Sequence, residues 1–126
     1  MAAARMSVAE LETFLHREFP QAFRNGDITI ESADGATCLL RQQYSERMLR
    51  PGGTVSGPTL MALADFAMYV VLLSAIGPVG LAVTTNLNIN FMRKAEAGPI
   101  DGHCRILKLG KSLMVFEIDM RTGTFT

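Results

Sequence analysis

The chain has 126 residues, enough for one domain with a substantial core, and 48% of them are apolar, as in a soluble globular protein. Twelve Lys and Arg balance twelve Asp and Glu, which excludes electrostatic capture of nucleic acid or of an anionic membrane surface as the main activity. Cys38 and Cys104 fall in apolar stretches, with His103 beside Cys104 but on the opposite strand face, so two free buried thiols in a reducing cytoplasm are expected, with no metal.

The opening stretch MAAARMSVAE has no apolar run long enough for a signal peptide, and a cytoplasmic protein is expected. Ser7 and Glu10 have capping-box spacing, and Val8, Leu11, Phe14, Leu15 and Phe19 recur at helical intervals up to Pro20, so residues 1–20 carry an amphipathic helix. Asn25-Gly26 and Asp34-Gly35 are turn signals. Between and beyond them, Asp27 to Ser32 and Ala36 to Gln43 read as a β-hairpin. From Tyr44 to Ser56 the chain is polar and contains Pro51-Gly52-Gly53, a loop that forms a candidate active-site wall.

Gly57 to Ile76 is apolar on every side apart from Asp65. Ser56 stands as a possible N-cap, Pro58 near the first helical position, and Gly77-Pro78 at the end. Such a helix, roughly 30 Å long, has the length to cross a bilayer. Asp65 near its middle, the lack of basic flanks and the sheet-like alternation that follows favour a core helix instead. A carboxylate buried there costs several kcal/mol unless it is paired, solvated by a cleft or protonated. Two readings of Asp65 are open: a structural bond, to which Tyr69 one turn on contributes, or catalysis.

Beyond Gly80 the pattern becomes two-periodic. Thr85, Leu87, Ile89 and Phe91 form a mainly apolar face against Thr84, Asn86, Asn88, Asn90 and Met92, as in a strand with one face on the core. Ala97-Gly98-Pro99 turns the chain into a strand over 100–109, Gly110-Lys111 makes a tight turn, and a further strand runs from Leu113 to Met120. After Arg121 the sequence TGTFT follows without turn residues, which leaves two readings open: a loop and half a strand are missing from this sequence, or the sheet ends one strand short. The whole of 1–126 reads as one α+β domain, a curved antiparallel sheet of five or six strands wrapped round one long central helix.

This order, with GPTLMALAD opening the helix and TTNLNINFMRKA on the next strand, resembles the hotdog-fold thioesterases of the phenylacetate-degradation (PaaI-like) group. The resemblance spans about residue 20 onward. It implies an acyl-CoA thioesterase in which Gly57 offers its backbone N–H to the thioester oxygen, Asp65 acts as base or nucleophile, and Thr84 holds the attacking water. Two departures stand out. The family's H-G-G is here Ser56-Gly57-Pro58, and its upstream Asn is here Arg50. Arg50, Ser56 and Asn86, with the cations Arg93, Lys94, Lys108 and Lys111 at strand ends and turns, are the candidate substrate-binding residues, the cations for the phosphates of coenzyme A.

The chemistry constrains the assembly as well. Hydrolysis needs a group that activates water and a donor aimed at the developing oxyanion, which a helix N-terminus supplies. Eight residues separate Gly57 from Asp65, about 12 Å at helical rise, too far for both to meet one reacting centre. Opposite protomers must therefore share each site, so a homodimer or dimer of dimers is expected, with acyl-CoA as substrate and no cofactor, nucleic acid or membrane as partner. His16 and His103 are given no catalytic role. The rival readings are a hotdog hydratase or dehydratase, which would want a His in the loop before the helix, and a non-catalytic acyl-CoA-binding hotdog protein.

Overall fold

The computed structural model describes residues 5–20, 28–78, 86–93 and 95–122. Helix α1 spans Val8–Glu18 and starts with the expected capping box, in which the Ser7 N–H donates to Glu10 Oε1 at 3.0 Å and the Glu10 N–H to Ser7 Oγ at 3.2 Å. Its apolar stripe buries Leu11, Phe14 and Leu15, while Phe19 beyond its end meets the ring of Phe66 edge-on at 5.9 Å.

Strands β1 (Ile28–Ala33) and β2 (Thr37–Gln42) form the predicted hairpin. Its turn is held by the Asp34 carboxylate, which accepts the backbone N–H groups of Ala36 at 2.9 Å and Thr37 at 2.8 Å. Strand β3 (Ile100–Leu109) pairs antiparallel with β2, and β4 (Met114–Thr122) with β3, so the order is β1-β2-β3-β4. The central helix α2 runs over Gly57–Ile76, as the caps predict, and packs on one face of this sheet. Leu63, Phe66, Ala67, Val70, Val71 and Leu73 from α2 meet Ile30, Cys38, Leu40, Ile100 and Cys104 from the sheet in one buried core. The helix comes close at Gly102, where an added methyl would lie 3.5 Å from Leu63. Helix α2 is long and apolar enough to cross a membrane, but most of its apolar length is buried inside the fold, which accounts for its composition without a bilayer.

Cys38 and Cys104 are directly opposed in register on β2 and β3, both free and fully buried. Hydrogen bonding with Cys104, reinforced by burial, pushes the Cys38 thiol well above the usual range, and its Sγ donates to the Ala67 carbonyl.

Two expectations are corrected. The described residues contain a sheet of four strands rather than five or six, and residues 86–93 join no strand ladder. The alternation there is nonetheless expressed as burial: Leu87 and Ile89 are half-buried, while Asn86, Asn88 and Asn90 are exposed. Alternation fixes which side of an extended segment faces the protein, whereas a ladder also needs a free neighbouring edge, which no local pattern encodes.

Candidate active site at the head of the central helix

The loop before α2 is tightly fixed. Val55 bridges to Leu49 and Thr54 to Glu96, and the Arg50 N–H donates to the Thr54 carbonyl at 2.8 Å. The turn between them passes through Gly52 and Gly53, whose φ values of 105° and 80° suit glycine. The Val55 N–H donates to Ala95 O at 2.8 Å and the Ser56 N–H to Met48 O at 2.7 Å. The loop thus fastens the start of α2 to the polypeptide on both sides of it.

Ser56 is the N-cap: its Oγ accepts from the Thr59 N–H at 3.3 Å and lies 2.8 Å from the Thr59 hydroxyl, while its carbonyl accepts from Leu60. Pro58 has no N–H to offer. Of the donors in the first turn, the N–H of Gly57 is therefore the one that no hydrogen bond engages among the described residues. It sits at the positive end of a 20-residue helix, where a developing anion is stabilised.

Among the described residues, nothing in the fold requires glycine at position 57. Its φ lies outside the region that favours glycine, and an added Cβ would find its nearest neighbour, Phe91 Cζ, at an ordinary contact distance of 3.6 Å. Alanine would also favour the helix by up to about 1 kcal/mol. What the absent side chain leaves is access to the N–H.

Asp65 differs from the expectation of a buried carboxylate: it is exposed. The sheet covers one side of α2 only, so the stripe Pro58, Met61, Ala62 and Asp65 faces outward. A broad cleft of about 2330 Å³ opens between this side of α2, segment 86–93 and β4, and Asp65 lines it together with Met68, Tyr69 and Leu72. Burial, with a smaller contribution from the Glu18 carboxylate, raises the Tyr69 phenol above its ordinary value, so it remains neutral.

Of the expected substrate-binding residues, Asn86, Arg93 and Lys111 line the same cleft as Asp65. Arg50 and Lys108 are exposed but not part of its lining, and Ser56 serves the helix as its cap. Thr84 and Lys94 lie outside the described residues. Phe91 was expected on the core face of a strand. Instead it is 59% exposed, lines the cleft and lies 3.6 Å from where a Cβ on residue 57 would sit. The alternating sequence marks Phe91 as apolar and extended, but its contact across 34 positions has no local signal.

The fold has counterparts among known proteins. A family profile described as the thioesterase superfamily matches residues 52–124, more than half of the chain. A provisionally assigned thioesterase from Silicibacter sp. TM1040, known as a crystal structure, is 39% identical and superposes with a TM-score of 0.86, covering 97% of this chain and 84% of its own. The E. coli PaaI protein from the phenylacetic acid degradation operon is 23% identical with a TM-score of 0.73, covering 91% of this chain and 83% of that one, a likeness of fold alone. The 1,4-dihydroxy-2-naphthoyl-CoA hydrolase of Listeria monocytogenes is 24% identical over 97 residues, 77% of this chain and 79% of that protein.

The architecture is that of a hotdog-fold thioester hydrolase. The chain belongs to the thioesterase superfamily.

Proposed function

We propose that the protein hydrolyses an acyl- or aryl-coenzyme A thioester at a site shared by two copies of the chain. The observation that carries this reading is the Gly57 N–H at the head of α2, which among the described residues no hydrogen bond engages, at a glycine that none of them requires. The thioester oxygen accepts from that N–H. Asp65 of the other copy takes a proton from water as the water oxygen bonds to the carbonyl carbon. The tetrahedral oxyanion is stabilised by the Gly57 N–H and the helix dipole. Its collapse breaks the carbon–sulfur bond, and the proton held by Asp65 passes to the departing thiolate. Thr84 orients the water, and Arg93 and Lys111, with Lys94, attract the phosphates of the carrier. Water is the only co-reactant this scheme needs.

The outward stripe of α2 supports a second copy. Pro58, Met61 and Ala62 form a largely apolar surface around Asp65, and a twofold pairing of two such helices would bring each carboxylate toward the opposite helix head. A dimer or a dimer of dimers meets that requirement.

The test is a panel of acyl- and aryl-CoA thioesters with a thiol-detecting reagent. Release of free coenzyme A thiol, with acid produced in equal amount, is expected for at least one class. Binding of the thioesters without thiol release would replace the proposal with the non-catalytic module, and addition of water across an acyl double bond would replace it with the hydratase.

A further inference from the structure

We propose that Phe91 determines which substrates the site accepts, by restricting bulk on the carbon next to the thioester carbonyl; this rests on the Gly57 N–H being the oxyanion donor. The ring lies in van der Waals contact with the point where a side chain on residue 57 would begin, with Cζ at 3.6 Å and Cε1 at 3.9 Å from that point. A carbonyl oxygen bound to the Gly57 N–H sits about 2.9 Å from the nitrogen, and its carbon is about 1.2 Å further on. In this proposal a substituent on the first carbon of the acyl group is the part of the substrate that meets the ring, and the far end of a straight chain is not.

Other features favour the same role. Phe91 is 59% exposed in the single chain and lines the same cleft as Asp65 rather than completing the core. It flanks the donor on the same chain, while Asp65 faces outward eight residues along the helix. Gly57 and Phe91 together make a donor with an aromatic wall: the glycine admits the carbonyl, and the ring limits what the carbonyl carries. Unbranched acyl groups, including those whose aromatic ring is set off by a methylene, pass the wall. Groups branched at the first carbon, or bearing an aryl ring directly on the carbonyl, collide with it.

The experiment compares butyryl-, hexanoyl-, isobutyryl- and benzoyl-CoA as substrates of the wild type, Phe91→Ala and Phe91→Leu, with Gly57→Ala and Asp65→Asn in parallel. Truncation at Phe91 is expected to raise the kcat/KM ratio of isobutyryl- and benzoyl-CoA to butyryl-CoA by about tenfold or more, the scale on which an apolar pocket distinguishes substrates. The ratio of hexanoyl- to butyryl-CoA should stay within about twofold of wild type, and Phe91→Leu should fall between the two. Unchanged ratios in both Phe91 variants, while Gly57→Ala and Asp65→Asn still lose turnover, would overturn the role of Phe91 and leave the proposed hydrolysis standing. Retention of wild-type turnover by Gly57→Ala and Asp65→Asn would remove the site on which both depend.

Discussion

Arg41 grips Asp101 across β2 and β3, with Nε 2.8 Å from Oδ1 and Nη2 3.2 Å from Oδ2. Asp101 is fully buried, and the same guanidinium also reaches Glu31 on β1 at 2.9 Å, so one side chain joins three strands. Interaction with Asp101 raises the Arg41 guanidinium above its ordinary value, and the pair is bidentate, the geometry in which arginine and carboxylate bind best. The row lies on the sheet face opposite Leu40 and Ile100, away from α2, and its role is to hold the sheet rather than to act on substrate.

Removing either partner should have unequal effects. Arg41→Met strips a buried carboxylate of its cation and is expected to be the more destabilising of the two. Asp101→Asn leaves a guanidinium that is partly exposed and still meets Glu31, so its loss should be smaller. Urea denaturation of both variants checks the order. A larger loss from Asp101→Asn would contradict it.

The β1–β2 turn carries a pH dependence. Backbone N–H groups of Thr37 and Ala36 hold the Asp34 carboxylate below its ordinary value. A depressed folded-state value means that the contribution is present above the unfolded value of about 3.9 and is lost as pH falls through the folded one. Wild type should therefore lose more stability than Asp34→Asn between pH 6 and pH 3, both measured by urea midpoint. Because Asp34 lies near the surface the difference should be small, and equal losses would dissociate the carboxylate from the turn.

At the helix head, Gly57→Ala is expected to fold at least as well as wild type, since the methyl meets Phe91 at an ordinary distance and alanine suits a helix. Turnover should fall by about tenfold or more, because the methyl occupies the approach to the donor. A stable variant with wild-type kcat/KM would show that access to this N–H is irrelevant.

Asp65→Asn should lower turnover by about 10²-fold or more, the scale of losing an activating group, with little effect on folding because the residue is exposed. Thr84→Val, which removes one neutral hydrogen bond, should cost less, up to about tenfold. Steady-state kinetics on the best substrate compare the two, and equal losses would mean that the hydroxyl is as central as the carboxylate.

Much of this was legible in the sequence. Ser56, Pro58 and Gly77 mark the ends of α2, and the capping box at Ser7 and Glu10 marks the start of α1, because caps are local chemistry. The hairpin turn at Asp34-Gly35 is local as well. Asp65 was harder to place: hydropathy measures how apolar a helix is, but not which of its sides a four-stranded sheet leaves open. The ladder expected for residues 84–92 depends on a remote edge, and the meetings of Gly57 with Phe91 and of Arg41 with Asp101 join positions 34 and 60 apart. Such contacts are products of the folded topology, invisible to periodicity.

The shared site is tested most directly by mixing two inactive chains. Gly57→Val and Asp65→Asn homodimers each lack one component at both sites, whereas a mixed dimer has one site in which the intact Gly57 of one chain meets the intact Asp65 of the other. With independent sites and random exchange, about half of the dimers are mixed and each has half of wild-type activity, so the mixture should recover roughly a quarter overall. Exchange is verified by native mass spectrometry. Recovery near that level supports a catalytic centre built across two copies; a mixture that has exchanged subunits yet stays as inactive as its parents would contradict it.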